Sequence, residues 1–341
     1  MSQYQTITIP DLMAMTPFTM VKNVHLEEVD ADSREWTDSF GFFDEEQRRD
    51  YIDANVELCM AYFYPLCGRE ELRTGCDIGN LVFVYDLVCD VKDGASARKT
   101  GDNFMNALSG KPFEHTNIGI MTRQFRDRYV KTAGPNTTAR FIKTCDEYVT
   151  AIANEAGLRE HGKVLDLDSY ISLRRDCCST NVCVGLFEYV NNIDLPNEVF
   201  DDPVFNRIYW AGIDLAWIAN DIYSYKREAS SGLDATNIVT VFMHQYKLPL
   251  QEAMDSCAEY YKSVLDKMLA DIATLRSFSE KVDKDIALYI ETMKHLVVGN
   301  LHWSYDSTRY FGAEHEEIKR TRVVKIKVKE EGHGAQGFSR G

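Results

Sequence analysis

Prolines are scarce in this sequence, 8 in 341 residues, and alternating apolar–polar runs are absent until the last thirty residues or so. With few chain breakers and almost no strand pattern, a sheet protein is excluded and long helices are favoured. No apolar run approaches the length of a membrane span, so a membrane-spanning chain is not expected. The opening MSQYQTITIPDLMAM lacks a basic segment followed by an apolar core, and no secretory leader is expected from it. Positive charge is in deficit: 38 Lys and Arg stand against 53 Asp and Glu, a net charge of −15. That balance argues against nucleic acid as a partner. The nine cysteines are odd in number and none has a CxxC zinc spacing. Cys59, Cys89 and Cys183 fall inside apolar helical patterns, so reduced thiols in a cytoplasmic protein are the expectation. No internal repeat, low-complexity linker or composition shift marks a second domain.

What remains is helical periodicity. The length suits one large domain. Residues 1–40 are expected to be irregular. Asp44-Glu45-Glu46 opens a helix expected to run to Tyr64 and stop at Pro65, its acids suiting the N-terminal dipole. Further helices are expected over about 69–92, 96–108, 117–131 and 137–156, then from an Asp168 cap through Val190. Four more cover 203–230, 236–246, 249–278 and 281–311. Helices of this length with apolar stripes pack as a bundle, and bundles place their sites between facing helices. Residues 41–312 thus read as one all-α, single-domain helical bundle, with a basic, flexible tail at 313–341. Within that tail KRTRVVKIKVK (319–329) is open to three readings: a short strand, a membrane-surface patch, or a segment folding over something anionic. Residues 27–53 hold eleven acids against three arginines, which reads as a solvated surface.

Two acidic stretches stand out because each follows a strongly apolar run. Asn220-Asp221-Ile222-Tyr223-Ser224-Tyr225-Lys226-Arg227-Glu228 places Asn220, Ser224 and Glu228 four residues apart, twice. At ~100° per residue these fall within an arc of roughly 80° on one helix face. An amide oxygen, a hydroxyl and a carboxylate there are hard donors of the kind that suits Mg²⁺; three polar residues on a solvated face is the plainer alternative. In LVFVYDLVCDV, Asp86 and Asp90 lie at i, i+4. Burying both carboxylates unpaired is costly; a divalent cation, a buried arginine or a helix-end cap would each relieve it. Arg174 and Arg175, in YISLRRDCC, and Arg309-Tyr310, in WSYDSTRY, supply guanidinium groups suited to phosphate or, equally, to structural acids.

Together, Asp86/Asp90, Arg174, NDIYSYKRE and Arg309-Tyr310 resemble, in that order, the signature of microbial, fungal-type class I terpene synthases. NDIYSYKRE fits the pattern (N/D)Dxx(S/T)xx(K/R)(D/E) at every defined position, with Arg227 in its basic slot. Arg174 precedes Asn220 by 46 residues and Arg309 follows Glu228 by 81. The aspartate-rich motif departs from DDxxD: it reads DLVCD, with Leu87 after the first aspartate.

The resemblance implies a sesquiterpene synthase that ionises farnesyl diphosphate, with geranyl diphosphate as a further substrate, and cyclises the resulting cation. It implies Mg²⁺, three ions by the family pattern, held by Asp86 with Asp90 and by Asn220, Ser224 and Glu228. It gives Arg174, Arg309 and Tyr310 catalytic roles, and assigns the diphosphate to these three with Arg227. Phe63, Phe83, Trp217 and Trp303 are candidates for the cation pocket, with plain core packing as the alternative for each. A monomer or homodimer in the cytoplasm is expected. The rivals are a non-catalytic prenyl-diphosphate-binding protein and a chain-elongating prenyltransferase. The latter would carry a second aspartate-rich motif where NDIYSYKRE stands.

Overall fold

The computed structural model describes residues 4–159 and 164–327. A strand β1 (Tyr4–Thr8) is followed by α1 (Leu12–Met15), α2 (Leu26–Asp38), α3 (Glu45–Ala54), α4 (Val56–Phe63) and α5 (Arg69–Asp90). Then come α6 (Gly94–Leu108), α7 (Asn117–Tyr129), α8 (Pro135–Arg159), α9 (Leu167–Cys177), α10 (Ser179–Val184), α11 (Phe187–Val190) and α12 (Asn197–Phe200). The last elements are α13 (Pro203–Ser231), α14 (Ile238–Tyr246), α15 (Leu250–Thr274), α16 (Glu280–Asp306), α17 (His315–Thr321) and β2 (Val323–Lys327). The fold is the all-α bundle that the periodicity implies.

Local chemistry explains the main boundaries. Asp44 starts α3 with a reciprocal capping box, its carboxylate accepting from the Gln47 backbone while the Gln47 side chain accepts from the Asp44 N–H. Asp202 accepts from the N–H groups of Val204 and Phe205, and Pro203 occupies the first turn of α13, where a missing N–H costs nothing. α13 runs through the centre, packed against α15 and α16 and touched by α9, α10 and α14. α16 in turn lies on α4. At Gly299 of α16 an added methyl would stand 2.8 Å from Tyr62 Cβ and 3.0 Å from the Tyr62 carbonyl oxygen, so the two helices meet at a distance only glycine allows.

Three expectations need correction. The helix from Asp44 does not continue to Tyr64. Asn55 has φ 44°, a left-handed conformation that asparagine tolerates better than most residues, and it turns the chain from α3 into α4. The segment from 168 is capped by Asp166 rather than Asp168, and it breaks at Cys178, which is extended (φ −76°, ψ 126°), before α10 begins. The N-terminal forty residues are not irregular: α2 is an amphipathic helix on α5, tied down where Ser33 Oγ donates to Asp77 at 3.0 Å.

Of the three readings of the basic tail, residues 323–327 take the strand. β2 pairs antiparallel with β1, Tyr4 facing Lys327 and Thr8 facing Val323. The alternation predicts this face: Val324 and Ile326 are buried with Ile7, while Val323 and Lys325 point outward. The tail expected to be flexible over 313–341 instead forms α17 and β2 within 313–327, and the expectation for residues 328–341 lies outside the described residues. All nine cysteines are free thiols, and among the described residues no helix is long and apolar enough to cross a membrane.

Candidate active site

A cavity opens between α4, α5, the α9–α10 break, α13 and the end of α16. Its polar lining includes Asp86, Arg174, Asn220, Arg309 and Tyr310, with Ser179, Thr180 and Asn300. Its body is lined by Phe63, Phe83, Trp217 and Trp303, so the four aromatic side chains singled out from sequence all face the same space. Trp303 is held there by donating Nε1–H to the Ala54 carbonyl at 2.7 Å, and Trp217 by donating to Asp214 at 2.9 Å.

Arg174, Asn220 and Tyr310 are cross-linked. The Asn220 amide donates to the Tyr310 hydroxyl at 2.6 Å, and its Oδ1 accepts from Arg174 Nη2 at 3.2 Å. The same Nη2 donates to Asp221 Oδ1 at 2.8 Å. Arg174 Nε and Arg309 Nη1 are buried and find no hydrogen-bond partner among the described residues. A buried guanidinium N–H left unpaired is costly, and an anion in the cavity would relieve that cost at both arginines. The Arg309 guanidinium lies 5.3 Å from the Phe83 ring centre and 5.7 Å from that of Tyr310, which fixes its position at the rim.

Along α13, Ser224 and Glu228 continue the Asn220 face by one and two turns. Glu228 accepts from the Asn237 amide at 2.9 Å. Burial, and then the negative Asp221, push the Glu228 carboxyl up to about 7, against the pull of hydrogen bonds from Ser224 and Asn237. On the opposite wall, burial and then neighbouring Asp90 raise Asp86 to about 8, although Tyr148 of α8 donates its hydroxyl to Asp86. Two carboxyls held up in this way are suited to a cation that would restore their charged forms. Among the described residues no three His, Cys, Asp or Glu converge on one point. The donors are instead one carboxylate per wall, an amide and a hydroxyl. Such a set fits a hard divalent cation that completes its shell with water and phosphate oxygens.

Four expected residues are not part of the cavity lining among the described residues: Ser224 and Glu228 continue the α13 face beyond it, and Asp90 and Arg227 stand apart. Asp90, one turn beyond Asp86, is exposed. Arg227 lies at the outer rim and donates to Asp50 of α3 at 3.0 Å. The structure also brings in residues the sequence did not flag. Asp221 accepts from Tyr170 and, at 3.0 Å, from the Ile238 N–H, locking α13 to α9 and to the start of α14. Asn237 donates to both Glu228 and the Asp221 carbonyl. Cys177 and Cys178, at the α9–α10 break, face the cavity beside Arg174. Asp221 was visible inside NDIYSYKRE. Tyr148, Tyr170 and Asn237 carried no sequence signal of their own.

The chain is similar to known proteins. The description "Terpene synthase family 2, C-terminal metal binding" matches residues 77–267. The chain is 39% identical over 322 residues to a Coprinopsis cinerea protein named linoleate 10R-lipoxygenase COP4, covering 94% of this chain and 93% of that one. It is 34% identical over 325 residues to sesquiterpene synthase Agr1 of Cyclocybe aegerita, covering 94% and 93%. In fold it is similar to a solved hedycaryol synthase, with a TM-score of 0.77 at 24% identity over 87% of this chain and 98% of that one. The matched span includes both acidic walls, Arg174 and the whole of α13, and on that footing the chain belongs to terpene synthase family 2.

Proposed function

We propose that the chain is a sesquiterpene synthase, a lyase that releases diphosphate from farnesyl diphosphate and cyclises the farnesyl cation. The observation that carries this reading is a single cavity that brings unpaired arginine donors and metal-suited oxygens together with aromatic and aliphatic side chains. A linear prenyl diphosphate has the same polarity, and the chain's similarity to sesquiterpene synthase Agr1 favours the C15 substrate. Geranyl diphosphate fits the same rim.

Asp86 on one wall and Asn220, Ser224 and Glu228 on the other would hold Mg²⁺, three ions by the family pattern. When bound, Mg²⁺ neutralises the departing diphosphate as a Lewis acid. Arg174 and Arg309 turn their free N–H groups to the diphosphate, and the Tyr310 hydroxyl assists. These donors sit where negative charge grows as the allylic C–O bond breaks and its electron pair leaves with oxygen. In this arrangement Arg227 is engaged by Asp50; exchanging that partner for diphosphate would bring a third guanidinium to the rim. Phe83, Trp217, Trp303 and Phe63 then offer ring faces to the cation and keep water out until rings have closed and a proton is lost.

The lipoxygenase name of the Coprinopsis relative does not transfer. Non-haem iron oxygenation centres use imidazole ligands, and among the described residues the cavity lining includes no histidine. The test is direct: incubate purified protein with farnesyl diphosphate and Mg²⁺, then measure inorganic diphosphate and volatile hydrocarbons by mass spectrometry. Metal-dependent release with C15 hydrocarbon products is expected. Binding without release would leave a non-catalytic prenyl-diphosphate binder, and a longer prenyl diphosphate as product would mean a prenyltransferase.

A further inference from the structure

Of the α5 residues that line the cavity, Gly79 stands furthest from Asp86. It precedes Asp86 by two helical turns on the same face, which places it ~10 Å deeper. Met60 of α4 lines the cavity opposite it and is buried. A methyl added at Gly79 would stand 2.8 Å from Val56 Cγ1, 3.0 Å from Met60 Cγ and 3.1 Å from Met60 Sδ. The Met60 thioether therefore rests on bare α5 backbone. Four residues on, at the C-terminal cap of α4, is Tyr64, wholly buried. Its ring packs on Gly75, where an added methyl would lie 2.7 Å from it, and its hydroxyl donates to the Cys183 carbonyl at 2.8 Å. The layer beyond Met60 is thus a clamped aromatic ring. Met60 itself is unbranched, with three rotatable bonds and no polar tie.

Resting on the prenyl diphosphate reading above, we propose that Met60, seated on Gly79, is the floor that sets the length of prenyl chain the cavity accepts. The diphosphate is fixed at the Arg174–Arg309 rim, so added chain length extends toward α4. A C15 chain ends against the thioether, and the next isoprene unit of a C20 chain meets it. Shortening Met60 opens the cavity as far as the Tyr64 ring. A methyl at Gly79 drives the thioether into the cavity and shortens it.

The test compares diphosphate release from geranyl, farnesyl and geranylgeranyl diphosphate (C10, C15 and C20) by the wild type, Met60→Ala and Gly79→Ala, with the melting temperature of each. A single methylene in an apolar pocket discriminates by ~10-fold or more, so a five-carbon unit should do at least as much. Met60→Ala is expected to raise the C20:C15 ratio of kcat/KM by about ten-fold or more, and Gly79→Ala to lower the C15:C10 ratio. Because the readout is a ratio, a general loss of activity does not imitate it. If the cavity left by Met60→Ala prevents folding, Met60→Val is read in its place. An unchanged C20:C15 ratio in the folded Met60 variant overturns the floor, as does a wild type that handles C20 as well as C15. A wild type that releases diphosphate from none of the three substrates removes the reaction itself, and the floor with it. A wild type active on farnesyl diphosphate whose variant keeps the same ratio removes the floor alone.

Discussion

On α13 the oxygen-bearing face is supported from nearby in the chain. Glu228 takes its hydrogen bond from Asn237, and Asn237 also holds the Asp221 carbonyl at 2.8 Å. On α5, Asp86 has the apolar Leu87 beside it, and its hydroxyl donor comes from Tyr148, 62 residues away. Each wall pays a desolvation cost to bury its carboxyl. One meets it within a helix and the loop that follows; the other meets it through a distant helix. A wall built locally keeps its register when neighbouring helices shift, whereas Asp86 depends on how α8 packs.

Breaking the α13 face should have the largest effect. Asn220→Ala or Glu228→Ala is expected to lower turnover at least ~100-fold, the scale for losing a preorganised electrostatic group, with helical circular dichroism unchanged. Normal turnover in either would sink the metal assignment. On the α5 wall, Asp86→Asn should match that loss, while exposed Asp90 tolerates the same change with a loss of only a few-fold; kcat/KM on the two variants decides it. Equal losses would make both aspartates metal ligands and erase the asymmetry between the walls.

Asp86 also has a signature in stability. Its folded-state pKa of about 8 lies above the ordinary carboxylate value, so its neutral form is favoured in the fold. That preference is fully present at low pH and is lost as pH rises toward 8. In metal-free buffer the melting temperature of the wild type should therefore fall more steeply between pH 5 and pH 8 than that of Asp86→Asn, and parallel curves would refute the shift. Arg309→Lys should lower kcat by roughly 10- to 100-fold, because an ammonium cannot reproduce the guanidinium fork. Diphosphate release and melting temperature measured on one preparation separate this from a structural role. Normal kcat with a depressed melting point would make the arginine structural.

Tyr148→Phe removes only the hydroxyl that orients Asp86. Partners of this kind are worth ~10- to 100-fold in metal affinity, so the Mg²⁺ concentration for half-maximal rate should rise, and saturating metal should recover most of kcat. If Mg²⁺ dependence is unchanged, the α5 wall does not lean on α8. The smallest effect belongs to Asp50→Ala. Its ion pair with Arg227 is exposed on both sides, and such pairs contribute about 0–1 kcal/mol, so kcat/KM should change by no more than about five-fold.

The bundle itself was legible because apolar periodicity follows from local chain geometry, and α13, α15 and α16 appear close to their expected limits. The misread segments have local causes that periodicity does not register. Asn55 turns the chain without a proline or glycine, and Cys178 breaks a helix whose flanking residues keep an apolar pattern. α2 was missed because its buried stripe of Val29, Ser33 and Thr37 is mostly polar in sequence and lies among acids.

Sequence by itself determined the Asn220–Ser224–Glu228 face, because four-residue spacing places side chains together within one helix whatever surrounds it. It also determined that Arg174 and Arg309 had to find an anion or an acid. Tertiary structure alone decided that Tyr148 reaches Asp86, that Arg227 is taken by Asp50 across 177 residues of chain, and that Met60 rests on Gly79. Those contacts depend on the approach and rotation of separate helices, which are set by close packing across the whole bundle rather than by any one stretch of it.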